Sequence, residues 1–360
     1  MKITPAIMVG GSGSRLWPVS TPETPKPFHA LITEKSLLQE TLLRTIGTHK
    51  EVTFTPPILI GAEQHLGLIQ ADLAGIDIEP QSIILEPSAQ NTAAAAAVVT
   101  SLEASRADSD LTLLLPSDAF IANPTLFLNA ISEAAHFAKA GSITTFGVAP
   151  TYAETGYGYI LAGEHLGGHV HHIDAFKEKP DKQTAESYIS DAKYSWNAGI
   201  FLYSPTTMLE AYVEHAADIL DIAQKSIKAG KTNGNILALN ETEYAKIRKT
   251  PIDCAIMENT RSGAVYNGLS CGWSDVGNWA TLADLSPASN PSNVFSIDTA
   301  NCFIRADEDS LIAAIGIENL VVIAHKGNIL IAPKERAQDL KTLLAKMEET
   351  GNKMTNTESQ

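Results

Sequence analysis

Between Ala6 and Val148, short apolar runs alternate with stretches whose apolar positions recur every three or four residues. The runs are Ala6–Val9, Ile58–Ile60, Ile83–Leu85, Leu111–Leu115 and Ile143–Val148, bounded mostly by Gly, Pro or polar positions. Such runs read as buried strands and the periodic stretches as helices, so the pattern predicts parallel strands joined by crossover helices. Ser36-Leu37-Leu38-Gln39 has the form of a capping box, with Leu38, Leu42 and Ile46 on one helical face. Asn91 to Leu102 is Ala-rich enough to be helical on propensity alone. Asn123-Pro124 sets a cap residue before a proline at the first helical position.

After Pro150 the pattern changes. Gly156-Tyr-Gly-Tyr-Ile160 and Val170–Lys177 read as hairpin material, followed by helices over Lys182–Ser190 and Pro205–Lys228. From Asn293 onward come short β-like runs, Val294–Ile297, Cys302–Arg305, Leu311–Ile315, Leu320–Ala324 and Ile329–Ala332, and then a helix over Glu335–Met347. That spacing predicts a small separate β unit, without a long repeat. The expected divisions are 1–285, 286–350 and a disordered tail over 351–360.

Composition narrows the function classes. The chain has 360 residues, 44% hydrophobic and 19% charged, which describes an ordinary water-soluble globule of about two domains. Its 26 Lys and Arg against 41 Asp and Glu give a net charge of −15, so the average surface repels nucleic acid and anionic lipid. A small phosphorylated ligand stays compatible, provided specific cations and backbone N–H groups hold it. Cys254, Cys271 and Cys302 are widely spaced and read as reduced thiols. Neither an export signal nor an uninterrupted apolar span of membrane length is present, which points to the cytoplasm.

The first strand runs into Gly10-Gly-Ser-Gly-Ser-Arg-Leu-Trp-Pro18, and a glycine-rich turn at a strand's carboxyl end lets backbone N–H groups approach phosphates. It is not a dinucleotide fingerprint, because Leu16 stands at the third glycine position, and it lacks the Gly-Lys-Ser/Thr of a Walker loop. Arg15 within the turn and Lys26 in Pro25-Lys-Pro-Phe28 flank one candidate polyphosphate site. The plainer reading is a tight turn with two exposed cations.

Asp118 in Leu115-Pro-Ser-Asp118 and Asp275 in Gly272-Trp-Ser-Asp275 are candidate Mg²⁺ carboxylates, although each alone also suits a turn or cap. In Phe176-Lys-Glu-Lys-Pro180 a carboxylate and an ammonium stand side by side at a strand end. Asn197 in Trp196-Asn-Ala-Gly-Ile-Phe201 is either a satisfied buried amide or a reader of sugar hydroxyls. His169, His171 and His172 invite a metal reading, but a solvated hairpin accounts for them better.

Taken in order, these segments resemble the sugar-nucleotide pyrophosphorylases, and among them the mannose-1-phosphate guanylyltransferases. The resemblance also takes in Glu86-Pro-Ser-Ala-Gln-Asn-Thr92, Thr155-Gly-Tyr-Gly-Tyr-Ile160, Ile252-Asp253 with Glu258, and Gly272–Gly277, covering residues 6 to about 332. It implies an α/β fold: a Rossmann-like nucleotidyltransferase domain with a mixed, mostly parallel sheet, plus a short left-handed β-helix-like unit and a terminal helix. It implies an enzyme making GDP-mannose and pyrophosphate from GTP and mannose 1-phosphate with Mg²⁺. Carried over by position, Gly10, Gly11, Ser12, Gly13, Ser14, Asn91 and Ser117 bind nucleotide, while Arg15 and Lys26 stabilise phosphate charge. Asp118 and Asp275 hold the metal, and Gly156, Glu178, Lys179 and Asn197 take the sugar phosphate.

The chain departs from the family's usual residues at Thr21, Pro27, Gln90 and Ala119, which leaves base choice open. Other open readings are a thymidylyl-, uridylyl- or adenylyltransferase acting on glucose 1-phosphate, and a non-catalytic subunit that binds sugar nucleotide. Bifunctional relatives add a cupin-type isomerase domain after the β unit; the 360 residues leave no room for one, so isomerase activity is not expected of them. The apolar runs of Leu311–Ala332 are candidates for a homodimer interface, the alternative being packing against the chain's own catalytic domain.

Overall fold

The computed structural model describes residues 1–11, 13–106, 110–286 and 292–349. They form two compact units, one of Met1–Val9 with Thr41–Trp273 and one of Gly10–Glu40 with the chain from Ser274 onward. The expected tail over 351–360 lies outside the described residues.

The first unit is built on a mixed sheet centred on Lys2–Val9. Its parallel neighbours are Val52–Phe54, Ile58–Ala62 and Leu111–Pro116, and the parallel run continues beyond Ile58–Ala62 to Ser82–Glu86 and Ile236–Ala238. Carboxyl ends of these strands therefore share one edge of the sheet, the edge where α/β ligand sites form. Tyr194–Tyr203 runs antiparallel between Leu111–Pro116 and Ile143–Val148, so those two strands are not neighbours. A strand this uniformly buried suits a central position covered on both faces. Gly263–Asn267, Val170–Lys177 and Tyr159–Gly167 complete the far side.

Helix Thr92–Ala104 shows why its sequence is so rich in alanine. Every side chain from Ala93 to Val99 is buried, between the sheet and helices Pro205–His215 and Ala217–Lys228. Small side chains let three layers approach closely without leaving voids. Pro205–Lys228, expected as one helix, bends at Ala216 (φ −149°), which allows Met208, Ala211, Tyr212, Ile219, Leu220 and Ala223 to share one core.

In the second unit the capping box forms. Ser36 Oγ accepts from Gln39 N at 3.0 Å and Gln39 Oε1 from Ser36 N at 3.2 Å. The helix it starts ends at Leu43, so Ile46 lies beyond it and is 49% exposed rather than on the buried face with Leu38 and Leu42. At that end, within the first unit, the Thr45 hydroxyl donates to the Thr41 and Leu42 carbonyls, satisfying the helix end.

The C-terminal β runs form a coil with a repeat that sequence reading missed. Val294 pairs in parallel with Ile312, Ala300 with Glu318, and Phe303 with Val321, each the residue 18 positions later. Parallel pairing at a fixed offset is the mark of a β-helix, whose coils bury one column of side chains. Here that column is Val294, Ile304, Ala314 and Val322. Strand Asn328–Pro333 turns back antiparallel on Leu320–His325, and helix Leu340–Glu349 follows, burying Leu340 and Leu344.

Candidate active site

The glycine-rich turn belongs to the second unit. Gly10 and Gly11 are exposed and Ser14–Leu16 forms one short 3-10 turn capped by Gly13; Ser12 lies outside the described residues. Gly13 sits at φ 55°, where a side chain is strained, and a Cβ there would collide with the Lys26 stem and fall 2.8 Å from Ser20 Oγ. Glycine at this position is thus what lets the two cation-bearing segments touch. Arg15 is half-buried within the turn. Lys26 is only 4% exposed, and its ammonium donates to the backbone carbonyl of Asp275, 249 residues away in sequence.

Asp275 itself is half-buried. A Cβ on Gly277 would lie 2.7 Å from Asp275 Oδ2, so the missing side chain at 277 leaves room for this carboxylate. The second unit therefore brings together the turn, Lys26 and Asp275.

Other expected residues lie in the first unit. Asn91 (φ 69°) is exposed and caps helix Thr92–Ala104, its Oδ1 accepting from Thr92 N at 2.8 Å. Just before it, Gln90 is buried, donating through Nε2 to Ser88 Oγ at 3.2 Å, while its Oε1 has no partner among the described residues. Glu86 receives the Tyr244 hydroxyl, and burial pushes its carboxyl upward. Ser117 is enclosed: its N–H donates to Met8 O at 3.1 Å, so it packs the turn against the sheet and leaves Asp118 half-buried beside it. Arg44 fixes the far side of that turn by donating to Ala119 O at 3.2 and 3.3 Å.

The sugar-phosphate candidates gather at one place in this unit. Lys179 (φ 44°) donates to Glu178 Oε1 at 2.5 Å; its side chain is 59% exposed and that of Glu178 14%, so the ammonium faces water while the carboxylate is mostly covered. Gly156 N donates to Glu154 Oε1 at 2.8 Å, a contact that an incoming ligand oxygen would have to replace. Asn197 is the satisfied buried amide. Its Oδ1 accepts from Thr145 Oγ1 at 2.7 Å and Gly199 N at 3.2 Å, and its Nδ2 donates to Asp253 Oδ1 at 2.8 Å. One amide hydrogen is left for a hydroxyl.

Asp253 is the residue to which sequence reading gave no role. Burial, with Glu178 and Glu258 nearby, pushes its carboxyl up to about 7, against the pull of its backbone N–H and Lys179. The signal was present in Ile252-Asp-Cys-Ala-Ile-Met257, where one charge interrupts an apolar run and has to be satisfied. Folded protein holds a proton here that the unfolded chain, titrating near 3.8, releases. Stability is thus expected to fall as pH rises from about 4 to about 7, by at most about 1.4 kcal/mol per pH unit, and to level off above. Glu86 acts with the same sign, so the clean comparison is wild type against Asp253→Asn in melts from pH 5 to 8. The variant should gain relative stability with rising pH; a difference constant across the series would contradict the assignment.

The histidines pair locally. His169 stacks on Tyr266 and its Nδ1 lies 3.1 Å from Glu133 Oε2, His171 packs on His165, and His172 Nε2 meets Arg261 O at 3.0 Å. Among the described residues no group of three or more His, Cys, Asp or Glu stands together as a metal cage. No helix among them is long and apolar enough to cross a membrane.

Known proteins resemble both parts of the chain. Residues 4–290 match the nucleotidyl transferase family, and residues 292–347 match the MannoseP isomerase/GMP-like beta-helix domain. Over 347 residues the chain is 37% identical to a mannose-1-phosphate guanylyltransferase of Klebsiella pneumoniae, spanning 94% of this chain and 72% of that one. It is 36% identical to one from Escherichia coli K12, spanning 97% and 74%. A solved structure from Thermus thermophilus, described as a mannose-1-phosphate geranyltransferase, superposes with a TM-score of 0.79 at 27% identity. It covers 97% of this chain and 100% of that one.

Proposed function

Because this chain belongs to the nucleotidyl transferase family, we propose that it joins mannose 1-phosphate to GTP, forming GDP-mannose and pyrophosphate. An oxygen of the sugar phosphate attacks the α-phosphorus of GTP; the new P–O bond forms as the bond to the β-phosphate bridge breaks, and pyrophosphate leaves. The nucleophile is already ionised near neutral pH, so no general base is needed and catalysis rests on positioning and charge. The observation that carries this reading is the buried Lys26, pinned between Gly13 and the Asp275 carbonyl, a cation fixed against a glycine-rich turn.

In this reading Gly10, Gly11, Ser12, Gly13, Ser14, Asn91 and Ser117 are the nucleotide-binding residues, the glycine-rich turn offering N–H groups to the phosphates. Arg15 and Lys26 neutralise charge on the transferring and departing phosphates. Glu178, Lys179 and Asn197, with the Gly156 backbone, receive the sugar phosphate. Asp118 and Asp275 offer hard oxygen donors of the kind Mg²⁺ takes, and the open space at Gly277 suits a ligated Asp275. When bound, Mg²⁺ would neutralise phosphate oxygens and orient the triphosphate. The catalytic domain is proposed to span 1–285 and the β unit 286–350.

A panel of GTP, ATP, UTP and dTTP against mannose 1-phosphate and glucose 1-phosphate, read by pyrophosphate release, tests the substrate choice. The highest kcat/KM is expected for GTP with mannose 1-phosphate, with the signal lost in EDTA. Preference for another pair would keep the chemistry and overturn the substrates, and the buried Gln90 would be the first residue to examine.

A further inference from the structure

The second unit holds a guanidinium whose work lies apart from its own strand. Arg305, in strand Phe303–Ala306 of the β coil, donates from its two terminal nitrogens to Ala30 O at 2.8 Å and Leu31 O at 3.1 Å. Among the described residues these are its only hydrogen bonds, and no carboxylate pairs with it. Burial lowers its pKa, so the placement costs free energy that no ion pair offsets. A planar fork on two successive carbonyls fixes where a backbone goes, which a single point charge does less well.

The segment so gripped carries Lys26. Phe28 N donates to Pro25 O at 3.1 Å and His29 N to Lys26 O at 3.2 Å, closing a short turn around the lysine. His29 Nε2 lies 2.8 Å from Thr24 O, bracing the residues just before it. Arg305 takes the next two carbonyls. A second strut from outside the turn serves the glycine-rich segment, where Trp279 Nε1 donates to Trp17 O at 2.9 Å and the Trp279 ring lies 6.1 Å from Phe303.

We propose that Arg305 is a positioning residue for Lys26, by which the β coil sets the catalytic segment. The inference rests on the role given to Lys26 above. A lysine that stabilises a departing phosphate loses effect when displaced by even about 1 Å. A coil that merely filled space would not need a half-buried charged fork on this backbone.

The test compares Arg305→Ala and Arg305→Lys with wild type in the full-length protein, by steady-state kinetics and by hydrogen exchange at residues 26–31. Arg305→Ala is expected to lower kcat by at least about tenfold, with KM for mannose 1-phosphate within twofold of wild type. Exchange should rise in 26–31 before it rises in the coil, and Arg305→Lys should fall between the two. Normal kcat in a folded Arg305→Ala protein would overturn the proposal. So would an exchange increase spread evenly over the coil, which marks general destabilisation. Exchange needs no substrate, so an inactive wild type would sink the proposed reaction while the hold of Arg305 on the segment is still decided.

Discussion

Asp275→Asn is expected to lower turnover by at least about a thousandfold, equivalent to about 4 kcal/mol of lost transition-state stabilisation, with little change in melting temperature. The geometry makes this substitution unusually informative. Lys26 is anchored on the backbone carbonyl of Asp275, not on its side chain, so asparagine leaves that anchor in place. What is removed is one charge on a half-buried side chain beside a glycine that gives it room. Asp118→Asn is expected to act alike, because Arg44 holds the turn through Ala119 O whatever residue stands at 118. Initial rates across Mg²⁺ concentrations, with circular dichroism as the folding control, check both variants. Near-normal rates in either would rule that residue out as a metal ligand.

Gly13→Ala should be the most damaging substitution within the turn, lowering activity about a hundredfold and stability by about 1–2 kcal/mol. Two costs combine: the left-handed backbone at φ 55° and a collision with the Lys26 stem near its own backbone, where no flexible end can swing aside. Gly10→Ala provides the contrast, since a Cβ there meets nothing within 4 Å. Parallel melts and rate measurements should separate them clearly. If Gly10→Ala and Gly13→Ala behaved alike, close contact with Lys26 would not be the reason for glycine at 13.

Local chemistry was readable from the chain, and distant pairing was not. The Ser36–Gln39 box and the Asn123 cap fold as their side chains dictate, because capping involves atoms three residues apart. Helix Pro205–His215 ends at a plain alanine without a Gly or Pro signal, since a shared core redirects the chain there. Tyr194–Tyr203 enters the sheet between two earlier strands, an arrangement that depends on which partners it meets and not on its own pattern. The 18-residue coil repeat went unseen because so short a coil leaves few equivalent positions, and Val294 and Ile312 or Phe303 and Val321 match only in being apolar.

The same limit applies to the candidate site. The turn, Arg15, Lys26 and both aspartates were visible as residue types at strand ends, yet nothing in spacing joins Lys26 to the Asp275 carbonyl. The sequence around Asn197 is compatible with two roles; its three bonds to Thr145, Gly199 and Asp253 make it a fixed amide with one donor to spare. Asp253 emerges only when burial and its carboxylate neighbours are considered together.

The most direct test of the central claim is ³¹P NMR of purified protein with GTP, mannose 1-phosphate and Mg²⁺. Attack on the α-phosphorus predicts GDP-mannose and pyrophosphate appearing in equal amounts, only when both substrates are present. GTP that stays intact, or that yields GDP and orthophosphate with the sugar phosphate untouched, would contradict it.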